Sequence, residues 1–205
     1  MRYLLALCVL GACGGNIPPV RLTEQCNPQP IEDYEDVTDA WTKNDSFRGN
    51  YQETASMNVT FRSPDWRVAK ATRDADLRKL EGQQRAAFLQ QACTEMAAEF
   101  YEFEVLLVTW DRRENDLDRG KRSVWTVRLH DEHGNEVEPK EILKDRRPTE
   151  AIKADYAKFG NFAIGYVVRF PRPAPDKPQI LGPNVRQLHL VLSQPRGTLQ
   201  ATWAP

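Results

Sequence analysis

His130 and His133 stand three residues apart, with Asp131 and Glu132 between them. Imidazole nitrogens and carboxylates are the donors that zinc and related ions take. Gly134 and Asn135 follow directly, so the run reads as the reversing turn between two strands. Two donors three apart on a turn need further ligands from elsewhere. His130 and His133 are therefore incomplete metal candidates, and no metal or other cofactor is expected. The third histidine, His189, falls inside an alternating strand pattern and reads as a strand residue.

Other chemistry-bearing patterns are missing. The chain has no Gly-x-Ser-x-Gly elbow, no His-Glu-x-x-His and no glycine-rich phosphate loop. Carboxylates are plentiful, but no pair is set apart by apolar neighbours that would shift its pKa. No catalytic residue is nominated, and enzymatic activity is left open with a binding role preferred. Five tryptophans are spread along the chain. Trp110 and Trp125 occupy strand positions and are expected in the core. Trp41 and Trp66 lie in less regular stretches and are the expected surface aromatics, suited to a carbohydrate or protein platform.

These residues need elements to hold them. Asp74 to Phe100 predicts one long amphipathic helix. Leu77, Leu80, Phe88, Leu89, Ala92, Cys93, Met96 and Phe100 recur at three- and four-residue steps, and Gly82 is a weak point inside it. Met57, Val59 and Phe61 share one face of a strand that Ser63-Pro64 ends. Beyond residue 100 the period changes to two. Phe103–Thr109, Ser123–Leu129, Glu136–Ile142, Phe162–Phe170, Leu188–Leu192 and Thr198–Trp203 read as strands, with Pro139 blunting the third. No strand–helix–strand alternation appears. The expected fold class is α+β, mainly β: an antiparallel sandwich carrying one long amphipathic helix.

The N-terminus has a different logic. Arg2 precedes an apolar run from Tyr3 to Leu10, far short of the roughly 20 residues that span a bilayer. The order of parts is that of a secretory signal. Leu10-Gly11-Ala12-Cys13 closes the run and resembles the lipobox of bacterial lipoproteins. The resemblance implies cleavage before Cys13 and acylation of that residue. Gly14 rather than Asp follows the cysteine, which by the sorting habit of enteric bacteria points to the outer membrane. Several acyl chains on one cysteine anchor a protein stably without a transmembrane helix.

With Cys8 removed and Cys13 acylated, Cys26 and Cys93 are left of the four cysteines. In an exported chain two such thiols invite a disulfide. The other reading makes Cys93 a small apolar core residue and leaves Cys26 unbridged.

The expected organisation is a signal peptide at 1–12, a lipidated cysteine and flexible tether at 13–36, a strand and long helix at 37–100, and a β-sandwich at 101–205. The Pro- and Gly-rich stretch from Gly14 to Pro30 carries the tether reading. Val124–Leu129, the Asp131-x-x-Gly134 turn, Tyr166–Phe170 and Leu188–Leu192 together look like the immunoglobulin-like β-sandwich modules of bacterial envelope lipoproteins. Formal charge is −1 over 205 residues. That balance gives nucleic acid no clustered basic surface. The expected function is a membrane-anchored envelope lipoprotein with a structural or protein-interaction role. The expected partners are the membrane, through the N-terminal lipid, and another envelope protein. The other reading is an envelope carbohydrate-binding module or a hydrolase with no recognisable motif.

Overall fold

The computed structural model describes residues 19–49, 52–96, 100–156, 158, 160, 162–174 and 176–205. Cys13 and the lipobox lie outside them. Among the described residues the chain is α+β, with its strands in two sheets and every pair antiparallel. In the first sheet the spatial order is β1 (Thr42–Gly49), β2 (Gln52–Phe61), β3 (Phe100–Thr109), β7 (Ile164–Pro171) and β6 (Glu141–Lys144). In the second it is β5 (Glu136–Val137), β4 (Thr126–Asp131), β8 (Leu188–Gln194) and β9 (Gly197–Trp203).

The two-residue period sets what the sheets bury. Met57, Val59 and Phe61 lie opposite Leu107, Val105 and Phe103 in register, and all six are buried. Leu188, Leu190 and Leu192 pair with Trp203, Ala201 and Leu199 in the second sheet, again all buried. Trp203 joins the two layers. Its ring centroid lies 5.4 Å from Phe103 and 6.1 Å from Phe61, and its indole N–H donates to the Trp41 carbonyl at 2.8 Å. Gly197 lets β9 approach β1, because a Cβ there would fall 2.7 Å from the Phe47 ring. Asp45 Oδ2 also accepts the Gln200 N–H at 2.8 Å, so β1 ties the first sheet to β9 of the second. The strand expected over Glu136–Ile142 is instead two short strands. The chain crosses between sheets at Pro139, where no ladder donor exists.

The single helix expected over Asp74–Phe100 is two helices, α2 (Pro64–Leu77) and α3 (Gly82–Met96). Ser63 caps α2 by accepting the Trp66 N–H at 3.1 Å, and Pro64 takes the first turn, where its missing donor costs nothing. The break comes at Lys79, with φ +55°. Leu80 N–H bonds the Ala75 carbonyl at 2.9 Å and Lys79 N–H bonds that of Asp76 at 2.9 Å, which is the Schellman closure of a helix end. Leu77, expected on the apolar stripe, is left 76% exposed at that break. Two shorter helices, α1 (Tyr34–Trp41) and α4 (Thr149–Asp155), had no periodic signal long enough to announce them.

The tether reading of 13–36 gives way from residue 20 onward. Val20 and Leu22 are buried, and Gly182 N–H bonds the Leu22 carbonyl at 3.2 Å. Arg21 pairs with Asp65 at 2.8 Å, Glu24 bonds the Tyr101 hydroxyl, and Cys26 is joined to Cys93 with Cα atoms 5.5 Å apart. Tyr34, from the acidic patch, is buried in α1. Prolines deny this segment a regular element, so what holds it to the body is tertiary and its sequence shows no period. Residue 100 likewise marks no boundary between units. β3 starts there and pairs with β2 on one side and β7 on the other.

Candidate functional site

The histidine turn does not assemble into a metal centre. Asp131 accepts the backbone N–H groups of His133 and Asn135, each at 2.9 Å, and the Asn135 side-chain amide at 2.7 Å. Glu132 accepts the N–H groups of Arg186 at 2.7 Å and Gln187 at 3.0 Å, and these hold its carboxyl down to about 2. His130 stacks on His189 across the β4–β8 ladder with centroids 4.8 Å apart, while His133 Nε2 lies 3.3 Å from the Asn184 carbonyl. Burial, with the neighbouring His130, pushes the His189 pKa down. Among the described residues no three His, Cys, Asp or Glu side chains converge as metal ligands. The carboxylates serve the turn itself, as short acidic side chains at reversals do.

The tryptophans are redistributed. Trp41 and Trp66, expected on the surface, are 1% and 3% exposed. Trp41 packs edge-on to Phe61 at 5.5 Å; Trp66 lies parallel to Tyr156 at 5.8 Å and donates its indole N–H to Thr38 Oγ1 at 3.1 Å. The irregular stretches that carry them are the two helices α1 and α2, both facing the core. Trp125 is buried as expected, but Trp110 is 72% exposed. It sits one residue past the end of β3, where the alternation no longer governs burial.

Two regions concentrate polar chemistry. The first lies on the face of the first sheet under α2. Glu104, in the middle of an apolar strand, is 0% exposed. Its Oε2 accepts from Arg62 at 2.7 Å, and Oε1 receives no donor. Burial pushes this carboxyl up to about 8 against the pull of Arg62, with neighbouring Asp145 adding to the rise. Asp145 beside it has its own carboxyl lowered against burial, with Arg147 as the main stabiliser of that charge. Gly165 makes room for the pair, since a Cβ there would fall 2.9 Å from Glu104 Oε1 and 3.3 Å from Asp145 Cβ.

Around this acid pair the charges are matched. Arg147 bridges Asp145 and Asp155, each at 2.6 Å, and Arg73 reaches Asp155 at 2.6 Å. Arg169 spans Glu102 and Glu141, each at 2.6 Å, and Arg67 bonds Glu102. Arg62 also donates to the Tyr156 hydroxyl at 3.1 Å, and burial pushes that phenol up. A hollow of about 470 Å³ lies over the layer and is lined by Arg62, Asp145, Asp155 and Tyr156, but not by Glu104. The perturbed carboxyl faces Asp145 rather than the hollow. This arrangement can fix α2 and α4 to the sheet. The sequence held one signal for it, an acidic residue inside Phe103–Thr109.

The second region lies at the C-terminal end of β3. Trp110 and Phe162 are 72% and 71% exposed and line one cleft of about 650 Å³. Its floor carries Ala55, Val108 and Ile164. The Arg112 guanidinium lies 5.9 Å from the Phe162 ring centroid, within the range of a cation–π contact. The alternating pattern predicts Trp110 in the core and Phe162 in a strand. The available signal was the change from alternation to the charged run that starts at Asp111.

The chain matches no family model, no curated protein and no solved structure.

Proposed function

We propose that this chain is an exported, lipid-anchored protein of the bacterial cell envelope, with a binding role rather than a catalytic one. The observation that carries the reading is the Cys26–Cys93 bridge, which closes 67 residues of sequence. Structural disulfides persist in oxidising compartments and are rare where thiols are kept reduced. That compartment agrees with the signal-like opening and the Leu10-Gly11-Ala12-Cys13 lipobox. Gly14 after the cysteine favours the outer membrane. The finer fold in this reading is an immunoglobulin-like β-sandwich. The support for it is the pair of antiparallel sheets whose inner residues Phe61, Phe103 and Trp203 meet.

An acylated Cys13 sets how far the body stands from the membrane. Val20 is the first buried residue among the described ones. Seven residue steps from Cys13 reach at most about 25 Å. The body is thus held close to the bilayer rather than lifted away on a long tether.

Intact mass of the protein extracted from membranes, before and after Cys13→Ala, tests the anchor. The expected result is a chain starting at residue 13 with added acyl mass, lost in the variant together with membrane retention. A soluble chain without acyl mass would overturn the reading.

A further inference from the structure

We infer that the Trp110–Phe162 cleft binds a saccharide bearing a carboxylate, with Arg112 as the group that reads the charge. The inference rests on the anchored, binding-protein reading for the direction the cleft faces, but its ligand chemistry comes from the cleft itself.

Arg112 differs from three arginines of the same region. Arg113 pairs with Asp111 at 2.7 Å, Arg119 lies 4.0 Å from Asp116, and Arg196 bonds Glu114. Arg112 has no carboxylate within ion-pair distance among the described residues, and its guanidinium lies against Phe162 at the cleft wall. A guanidinium in that position is pre-set for two parallel hydrogen bonds to a carboxylate. Two exposed aromatic side chains in the same cleft supply apolar faces for the C–H surface of sugar rings, with the polar edges left to solvent.

The remaining polar groups narrow the choice. Trp110 N–H already bonds the Thr54 carbonyl at 3.0 Å, so no open strand edge is offered here to an added peptide strand. The Asn115 amide donates to the Leu107 carbonyl at 2.7 Å and accepts from the Tyr166 hydroxyl at 3.0 Å. Thr109 Oγ1 is likewise engaged, by the Asp111 carbonyl at 2.8 Å, so recognition falls mainly to the ring faces and the guanidinium.

Position disfavours a lipid surface. Arg21 and Glu24 attach the N-terminal segment at Asp65 and Tyr101, beside the start of β3. The cleft lies beyond Thr109, the strand's other end. Eight strand steps separate Tyr101 from Thr109, about 26 Å. The cleft thus lies at the end of β3 opposite the N-terminal attachment, the end left for the glycans of the envelope space when the chain is anchored through Cys13.

The test uses the purified full chain and two probes with the same aminosugar backbone. One is a tetrasaccharide alternating N-acetylglucosamine and N-acetylmuramic acid, which carries lactyl carboxylates; the other is the neutral tetramer of N-acetylglucosamine, which has none. Titration by calorimetry should show the acidic probe binding at least about 10-fold tighter, the scale of one charge-assisted contact. Arg112→Gln should bring the two probes to parity, Arg112→Lys should recover part of the preference, and Trp110→Ala should abolish both isotherms with an unchanged melting temperature. Equal affinity for the two probes, no binding of either, or binding that survives Trp110→Ala would overturn the inference. In a second arm the lipidated chain is placed in vesicles of brominated phosphatidylcholine and phosphatidylglycerol. Emission from Trp110, taken as the difference from Trp110→Phe, should stay unquenched; quenching would overturn the saccharide assignment in favour of the lipid surface. Absence of acyl mass on Cys13 would remove the orientation while leaving the two-probe comparison intact, so the two failures are separable.

Discussion

The ion layer under α2 and the cleft beyond β3 both contain arginine beside an aromatic ring, and they use it in opposite ways. Under α2, Arg147 approaches the Tyr156 ring at 5.9 Å but is bonded to Asp145 and Asp155. At the cleft, Arg112 approaches Phe162 at the same 5.9 Å with no carboxylate among the described residues to meet it. The layer holds the most strongly raised carboxyl pKa, at Glu104, yet that group is 0% exposed and turned to Asp145. A shifted pKa marks burial and neighbours before it marks a function. What marks a recognition surface here is the reverse pattern: apolar area and charge both left uncovered.

The comparison can be broken by substitution. Arg62→Ala should have the largest effect, because it strips the bonded cation from fully buried Glu104. Above about pH 8, where the Glu104 carboxyl has ionised, removing one partner of a buried pair costs about 3–5 kcal/mol, read as a lower urea midpoint. A loss under about 1 kcal/mol would mean that water reaches the layer and that it resembles the cleft after all. Next comes the clamp on the N-terminal segment. Cys93→Ala opens a 67-residue loop, which the chain-entropy relation puts at about 4 kcal/mol, and proteolysis should then cut first among residues 19–33.

The third prediction concerns pH. Glu104 is raised on folding to about 8. Between the ordinary carboxylate range and that value the folded chain keeps a proton that the unfolded chain has released. Its contribution to stability therefore declines as pH rises through that window. Asp145, Asp155 and Glu102 are lowered on folding, so their contribution is present above the ordinary range and lost as pH falls. Urea midpoints measured from pH 5 to 9 should fall on the alkaline side, and Glu104→Gln, which keeps a donor toward Asp145, should flatten that fall. An alkaline limb unchanged by the variant would place the proton elsewhere. The smallest effect belongs to the cleft: Trp110→Ala or Arg112→Gln should shift stability by no more than about 0.5 kcal/mol, since neither side chain is covered. A large loss from either would assign the cleft to the fold rather than to a ligand.

Much of the strand content was legible. Met57, Val59 and Phe61 alternate, and so do Leu188, Leu190 and Leu192; alternation next to a buried face leaves one register. Long, periodic runs were read well because the pleat forces them. β1 was missed because its residues, Thr42–Gly49, are mostly polar, and an edge strand needs only one satisfied side. The apolar spacing over Asp74–Phe100 continues through the break and therefore predicts a single helix. A Schellman closure at Lys79 leaves no residue-type signal when the left-handed position is not glycine or asparagine.

Of the site, less was visible. Trp41 and Trp66 sit at helix ends, the last residue of α1 and the first turn of α2, where no apolar period marks them as buried; Trp110 follows the β3 alternation by one residue and so reads as buried. The sequence by itself determined the two-residue period that makes antiparallel sheets and the cysteines available for a bridge. It also determined the lack of a basic excess. These depend on residue type and local spacing. Only the tertiary structure decided that Cys26 meets Cys93, that Glu104 is sealed beside Asp145, and that Arg112 lies against Phe162 with no carboxylate beside it among the described residues. Burial and charge neutralisation are set by whichever distant residue arrives next to a side chain, and no local pattern encodes that neighbour.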